Sequence, residues 1–357
     1  MTVAASDYLQ VGTVAHRLTA VLGRLFPRTL VRSLRPTLTP APEPPGADPA
    51  GLRTRADATR SADAGHHRAD APPADRAALD AALAAAASPL ERQYLEKAVA
   101  AGHDAPVITA FADRIRGRTP AWLRHHLTIV DPARPGRVTH DGVPFAQTDG
   151  TTCGTTAVLL TRVLTDPVYA LALTTGTDPE AGDPGQEGPD PSDPDEPARP
   201  DAFGQRLAAE QQRIHRVTNT AWPQALGTSP WGMRRGLARE AGARYGFRWT
   251  DDTDRRVLAA ATRDALAAVD AGHPVPLLVG NVYPAHYLLI VAHDEDHVLI
   301  YNPAGGRLAE VAVTDLRAGN LAAVTAFRHL HGVLLPDPAA DPGTGTGTRP
   351  GPGSEPA

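Results

Sequence analysis

The chain has 357 residues, a formal net charge of −5 and a single cysteine, Cys153. One cysteine excludes an intramolecular disulfide, and it excludes every zinc site built on two or more thiolates. The 35 basic residues are outnumbered by 40 acidic ones, which argues against a nucleic-acid-binding protein because such proteins need a basic surface. No stretch reaches the ~18 apolar residues of a transmembrane helix, and the N-terminal residues do not have the pattern of a Sec signal peptide. We therefore expect a cytoplasmic protein, with export by a route without a cleavable signal left open.

The N-terminal part of the chain divides by composition into three segments. Residues 1–35 are basic and carry apolar residues at helical spacing. This pattern is typical of a helix that packs on the protein itself or contacts an anionic membrane surface, here through residues 8–35. Residues 36–76 are rich in proline and contain no aromatic side chain, so we expect a disordered linker. Residues 77–135 are rich in alanine and predict a helical region that Pro89 and Gly102 divide into separate helices.

Residues 136–336 predict a mixed domain. Within it, residues 174–201 form an acidic, proline-rich segment that we expect to be a disordered insertion, and residues 337–357 form a disordered tail. Helices precede strands in this domain, which predicts an α+β fold with an antiparallel sheet. The predicted helices are Thr151 to Thr165, 203–218, 231–245 and 255–271, and the predicted strands are 275–279, 287–292, 298–301 and an edge strand at 333–335. The aromatic residues expected in the core of this domain are Trp231, Tyr245, Phe247 and Trp249.

Cys153 stands at the start of a predicted helix, among small residues. The unpaired N–H groups and the dipole of a helix N-terminus favour a thiolate, so we expect the thiol pKa to be lowered. Gln147 precedes it by six residues. Its side-chain N–H and the backbone N–H of Cys153 together predict an oxyanion hole.

His286 opens one predicted strand, and Asn302 closes the next. Two adjacent antiparallel strands place the start of one beside the end of the other, so Asn302 is expected to accept a hydrogen bond from His286. The other ring nitrogen would then face Cys153. A cysteine, a base and a residue that orients the base are the elements of nucleophilic catalysis.

Three stretches carry a family resemblance: Gln147–Gly154, His286–Ala292 and Tyr301–Gly306. They resemble the motifs of the bacterial C39-like cysteine peptidases, over roughly residues 140–335. The resemblance implies a papain-like fold, in which an N-terminal helix bearing the cysteine packs against an antiparallel sheet bearing His and Asn. It implies cleavage of peptide or isopeptide bonds in a peptide or protein substrate, without metal or organic cofactor. Those peptidases usually have Asp where this chain has Asn302, which weakens stabilisation of the imidazolium.

Other histidines are candidates for the base or for metal ligands. His140 is the rival closest to Cys153 in sequence, but it lacks an orienting partner. His125 and His126 are expected to be surface or packing residues. His293 to His297 predict a hairpin turn rather than a metal site, and His293, seven residues after His286, is expected on the opposite sheet face.

Two other functions remain open for the same residues. They are acyl transfer to an amine, as in transglutaminase-like enzymes, and a catalytically silent module that binds a peptide. The oligomeric state is not predicted by the sequence.

Overall fold

The computed structural model describes residues 61, 63–177, 200–220 and 223–337. The basic segment 1–35 lies outside the described residues, as do residues 178–199 of the acidic insertion and residues 338–357 of the tail. Within the described part, no single helix is long and apolar enough to span a membrane. The helices Cys153–Thr165 and Pro167–Thr175 reach that length and apolar content only when taken together, and they are bent by 114° relative to each other.

Between residues 73 and 127, four short helices precede the mixed domain, each with a proline in its first turn. Side chains of Ser88, Asp104 and Thr119 cap the last three by accepting hydrogen bonds from backbone N–H groups. The breaks predicted at Pro89 and Gly102 are confirmed. The expected linker boundary at residue 76 is wrong, because residues 63–70 are helical and the first of the four helices begins at Pro73. The four helices are Pro73–Ala84, Pro89–Ala100, Ala105–Ile115 and Pro120–Leu127.

These helices share a hydrophobic core with the helix Pro167–Thr175. That helix contributes Val168 and Leu171 to their core. His103 Nε2 also lies 2.8 Å from Asp166 Oδ1, at the cap of the same helix. The N-terminal helices and the mixed domain are therefore packed together through this helix.

The centre of the mixed domain is a seven-stranded antiparallel sheet in the order β1-β8-β7-β6-β5-β9-β4. A separate hairpin pairs β2 with β3. The strands are β1 Gly136–Arg137, β2 Thr139–His140, β3 Val143–Pro144, β4 Tyr245–Trp249, β5 Val275–Gly280, β6 Pro284–His293, β7 His297–Asn302, β8 Arg307–Ala312 and β9 His329–Pro336.

Helices cover both faces of the sheet, which is why its central strands are apolar without alternation. Tyr287 and Leu289 of β6 face a core shared with Cys153–Thr165, Pro200–Thr218 and Pro230–Glu240. Leu288 and Ile290 of the same strand face the opposite core, which is covered by Arg255–Asp270 and Val313–Ala318. The α+β class is confirmed, and the sheet is antiparallel as predicted.

Three local expectations are wrong. The helix predicted over 231–245 ends at Glu240, and Tyr245–Trp249 is strand β4 instead. The strand predicted at the edge over 333–335 extends over His329–Pro336 and lies between β5 and β4. Trp231, expected in the core, is 62% exposed in the first turn of its helix. Each error concerns how an apolar segment packs, which local periodicity does not determine.

Candidate active site

A tight polar turn precedes Cys153, which is the first residue of the helix Cys153–Thr165. The carboxylate of Asp149 accepts hydrogen bonds from the backbone N–H and the hydroxyl of Thr151, both at 2.7 Å. Burial alone would raise the pKa of Asp149, but these bonds hold it below its ordinary value. The helix predicted from Thr151 therefore begins two residues later, at Cys153.

Gly154 lets this helix start approach the sheet closely. A Cβ atom added at Gly154 would lie 2.7 Å from Thr228 Cβ and 3.0 Å from Tyr287 Cδ2. These distances are shorter than ordinary van der Waals contact, so only glycine fits without movement. The second residue of the helix is therefore packed against the residue that follows His286 in β6.

His286 and Asn302 are paired as predicted. His286 Nε2 lies 2.8 Å from Asn302 Oδ1, and the Asn302 amide nitrogen donates to the Val324 carbonyl at 2.8 Å. Because the amide nitrogen is used there, Oδ1 is the atom that faces the ring and Nε2–H is the donor. The tautomer assigned by this network leaves Nδ1 of His286 as a hydrogen-bond acceptor.

The cysteine sulfur lies near the backbone beside His286. The backbone N–H groups of Tyr287, Gly154 and Cys153 oppose the effect of burial on the thiol pKa. Tyr287 follows His286 directly, at a point where β6 extends past the last paired residue of β7. The helix start, the histidine strand and the asparagine strand therefore meet at one end of the sheet.

The expected lowering of the thiol pKa is wrong for this arrangement. Burial raises the pKa of Cys153, and the three backbone N–H groups offset only part of that rise. The side chain is 5% exposed, so the free-energy cost of removing a thiolate from water exceeds the stabilisation that the helix N-terminus supplies. Burial also lowers the pKa of His286, against the opposing bond to Asn302. The resting pair is thus a neutral thiol and a neutral imidazole.

Gln147 lies beside the cysteine turn, and its side chain is held there. Its Nε2 donates to the Asp149 carbonyl at 2.7 Å, which occupies one of the two amide hydrogens. Its backbone N–H donates to the Pro303 carbonyl at 3.0 Å, so Gln147 is tied to the residue after Asn302. An oxyanion role for the second amide hydrogen stays a prediction.

Gln211 is a positioning residue that sequence reasoning missed. It is fully buried, its amide nitrogen donates to the Ala146 carbonyl at 2.7 Å, and its oxygen accepts from Thr148 N at 2.9 Å. It therefore clamps the residues on either side of Gln147. Gln211 lies 58 positions after Cys153 in another helix, and a lone polar residue on an amphipathic helix carries no signal that could have identified it.

The rival histidines have other surroundings. His140 is buried and stacks on His125 with ring centroids 4.3 Å apart, and burial lowers its pKa to about 4. The predicted turn between β6 and β7 is confirmed, with Asp294 accepting from the backbone of His297. His293 is not on the opposite face: a β-bulge between Ile290 and Ala292 reverses the alternation, and its ring reaches the Leu266 carbonyl.

Comparisons with protein-family models, with curated proteins and with solved structures gave no match to this chain. The site is therefore interpreted from its own geometry. That geometry joins His286 and Asn302 at one end of an antiparallel sheet, with Gln147 bonded to Pro303 and the start of the Cys153 helix packed against Tyr287.

Proposed function

We propose that this chain is a cysteine hydrolase with a papain-like arrangement, acting on peptide or isopeptide bonds through Cys153, His286 and Asn302. The observation that carries the proposal is the His286 Nε2–Asn302 bond at 2.8 Å, on the strand whose next residue, Tyr287, packs against Gly154 at the start of the cysteine helix. A structural cysteine has no need of an oriented imidazole whose second nitrogen is left as an acceptor.

The neutral resting pair points to proton transfer during attack. The Cys153 thiol gives its proton to Nδ1 of His286 as its sulfur forms a bond to the substrate carbonyl carbon. The carbonyl π electrons move to oxygen, giving a tetrahedral intermediate. Collapse breaks the carbon–nitrogen bond, and the imidazolium returns its proton to the leaving amine. Water then hydrolyses the thioester with His286 again acting as the base, which restores the thiol.

The oxyanion that forms would be stabilised by the backbone N–H of Cys153 and the second amide hydrogen of Gln147. Each donor of this kind contributes on the order of 2.7–4 kcal/mol in well-formed oxyanion holes. The clamp that Gln211 places on Ala146 and Thr148 keeps the backbone of Gln147 in position for this role.

Exposed apolar residues that flank the candidate site in sequence support a peptide substrate. Trp231 and Leu226 are 62% and 65% exposed and flank Thr228, the residue packed against Gly154. On the histidine side, Tyr283 is 66% exposed just before β6 begins. Exposed aromatic residues of this kind are typical of surfaces that bind apolar side chains of a partner.

Alkylation of Cys153 tests whether His286 acts as its base. For the wild type, we expect the rate with iodoacetamide to rise with pH through an apparent pKa below 6.5, because only neutral His286 accepts the thiol proton. In His286→Gln, the rate should rise only above the ordinary thiol pKa, and at neutral pH it should fall at least about tenfold. His67→Gln, an exposed histidine, is the matched control. Equal rates in the wild type and His286→Gln would refute the proposal.

Product analysis then identifies the reaction. Mass spectrometry of a mixed peptide library incubated with the wild type should reveal cleaved peptides that Cys153→Ala does not produce. Addition of a primary amine distinguishes acyl transfer, which would yield amine adducts in place of hydrolysed products.

The deep burial of Cys153, with its raised thiol pKa, favours one alternative, a module that binds peptide without catalysis. In that case Cys153→Ala would retain peptide binding, and the wild type would cleave none of the peptides it binds.

A further inference from the structure

Three histidines lie together at the junction of the N-terminal helices and the β2-β3 hairpin. His125 and His126 are adjacent in the helix Pro120–Leu127, and His140 ends β2. One nitrogen from each ring lies within 4.8 Å of the other two. Asp141 adds a carboxylate, with Oδ1 2.9 Å from His125 Nε2 and Oδ2 3.3 Å from His140 Nε2.

The buried ring of His126 presents a nitrogen that the fold leaves without a hydrogen bond. His126 is 4% exposed and His140 is 2% exposed. Among the described residues, His126 Nδ1 has no hydrogen-bond partner, whereas His140 Nε2 makes no hydrogen bond but lies 3.3 Å from the Asp141 carboxylate. A buried polar atom without a partner costs free energy comparable to a lost hydrogen bond, so His126 Nδ1 requires an explanation.

The outer contacts of His140 suit a metal ligand. The backbone carbonyl of His125 lies near the His140 ring, and since Nε2 faces the Asp141 carboxylate, Nδ1 is the nitrogen available to that carbonyl. A histidine that binds a metal through one nitrogen commonly donates its other N–H to a backbone carbonyl, which fixes the tautomer.

The geometry points to a divalent transition-metal site, for which we propose Zn²⁺ bound by His125, His126 and His140, with Asp141 as the fourth ligand. Imidazole and carboxylate groups are ordinary zinc ligands, and three histidines with one further group form a tetrahedral set. Nitrogens bound to one tetrahedral Zn²⁺ lie roughly 3.3 Å apart, so the cluster has to contract on binding. His125 and Asp141 are part-exposed and can supply that movement.

The site is open to solvent through a cleft, and it lies beside the tight turn between β2 and β3. His125 and His140 line a cleft of about 600 Å³ whose wall also includes Tyr94 and Arg124. Asp141 adopts a left-handed backbone with φ of 50°, which Asp tolerates better than most residues, in the turn that joins β2 to β3. The positive charges near the rings are Arg118 and Arg206, and the carboxylate of Asp141 opposes them.

Metal binding by the purified full-length chain tests this site. Each protein carries Cys153→Ser so that the thiol cannot bind metal. Titration with Zn²⁺ at neutral pH should show one ion bound per chain, and Co²⁺ should give the strong visible absorption of a tetrahedral complex. His125→Gln and Asp141→Asn change part-exposed side chains, and each should weaken binding at least about tenfold. Circular dichroism melting confirms that each variant is folded.

His67→Gln is the matched control and should bind Zn²⁺ as the parent protein does. Loss of binding in His125→Gln but not in His67→Gln supports the site. The proposal is overturned if the parent binds no stoichiometric Zn²⁺, if its Co²⁺ complex has the weak spectrum of the hydrated ion, or if His125→Gln binds as tightly as the control. None of these results depends on catalysis by Cys153, so the two proposals succeed or fail separately.

Discussion

Replacement of Gly154 by alanine should separate the cysteine helix from the histidine strand. The new Cβ would lie 2.7 Å from Thr228 Cβ and 3.0 Å from Tyr287 Cδ2, whereas carbon atoms pack best at about 3.5–4.0 Å. The helix start must therefore move by up to about 1 Å, which increases the distance between the Cys153 sulfur and the backbone of Tyr287. Overpacking of this size costs about 1–3 kcal/mol of the free energy of unfolding. Because the surroundings of the thiol change when the helix start moves, the rate of Cys153 alkylation should differ from that of the wild type.

Gly204→Ala provides the matched control. This glycine also lies in a helix, but the nearest atom to its added Cβ is Val143 Cγ1 at 3.5 Å, an ordinary contact. The control should therefore gain roughly 0.5–1 kcal/mol from the lower backbone entropy of alanine in the unfolded chain. Urea denaturation followed by circular dichroism measures both free energies. If Gly154→Ala is as stable as Gly204→Ala and its cysteine is alkylated at the wild-type rate, the close approach at Gly154 has no role.

Three further predictions follow from the contacts of single residues. Asn302→Ala removes the acceptor of the His286 Nε2 hydrogen bond. Under the proposed function, the rate of product formation should then fall about 10–150-fold, the equivalent of losing a charge-assisted bond of about 1.5–3 kcal/mol. An unchanged rate would contradict the orienting role of Asn302. Gln211→Ala should raise KM or lower kcat while the protein stays folded, because the backbone that it clamps at 2.7 Å is released, and wild-type kinetics would refute the clamp. Burial lowers the pKa of His331 to about 4, below its value in the unfolded chain, so the stability that it contributes is present above pH 6.5 and is lost as pH falls from 6.5 to 4. That loss is on the order of 3 kcal/mol, and the stability of His331→Leu, measured by urea denaturation across this pH range, should vary less; the same dependence in both proteins would show that other groups cause it.

Much of the candidate site was predictable because it depends on local signals. Asp166-Pro167 ended the cysteine helix where predicted, since the residue before proline is excluded from helical backbone. The His286–Asn302 bond was predictable as well, since each residue stands at the end of a strand and adjacent antiparallel strands bring those ends together. The thiol pKa was not predictable, because its direction depends on how deeply the helix start is buried.

The sequence by itself determined the breaks at Pro89 and Gly102, the end of the cysteine helix before Pro167, the α+β order of elements and the pairing of His286 with Asn302. These features depend on proline, glycine and the apolar period within a few residues. Only the tertiary structure decided that β9 lies inside the sheet, that Gln211 clamps the cysteine turn, and that His125, His126 and His140 form one cluster. Each of these results joins segments far apart in the chain, and their contact depends on the packing of three shared cores rather than on any local pattern.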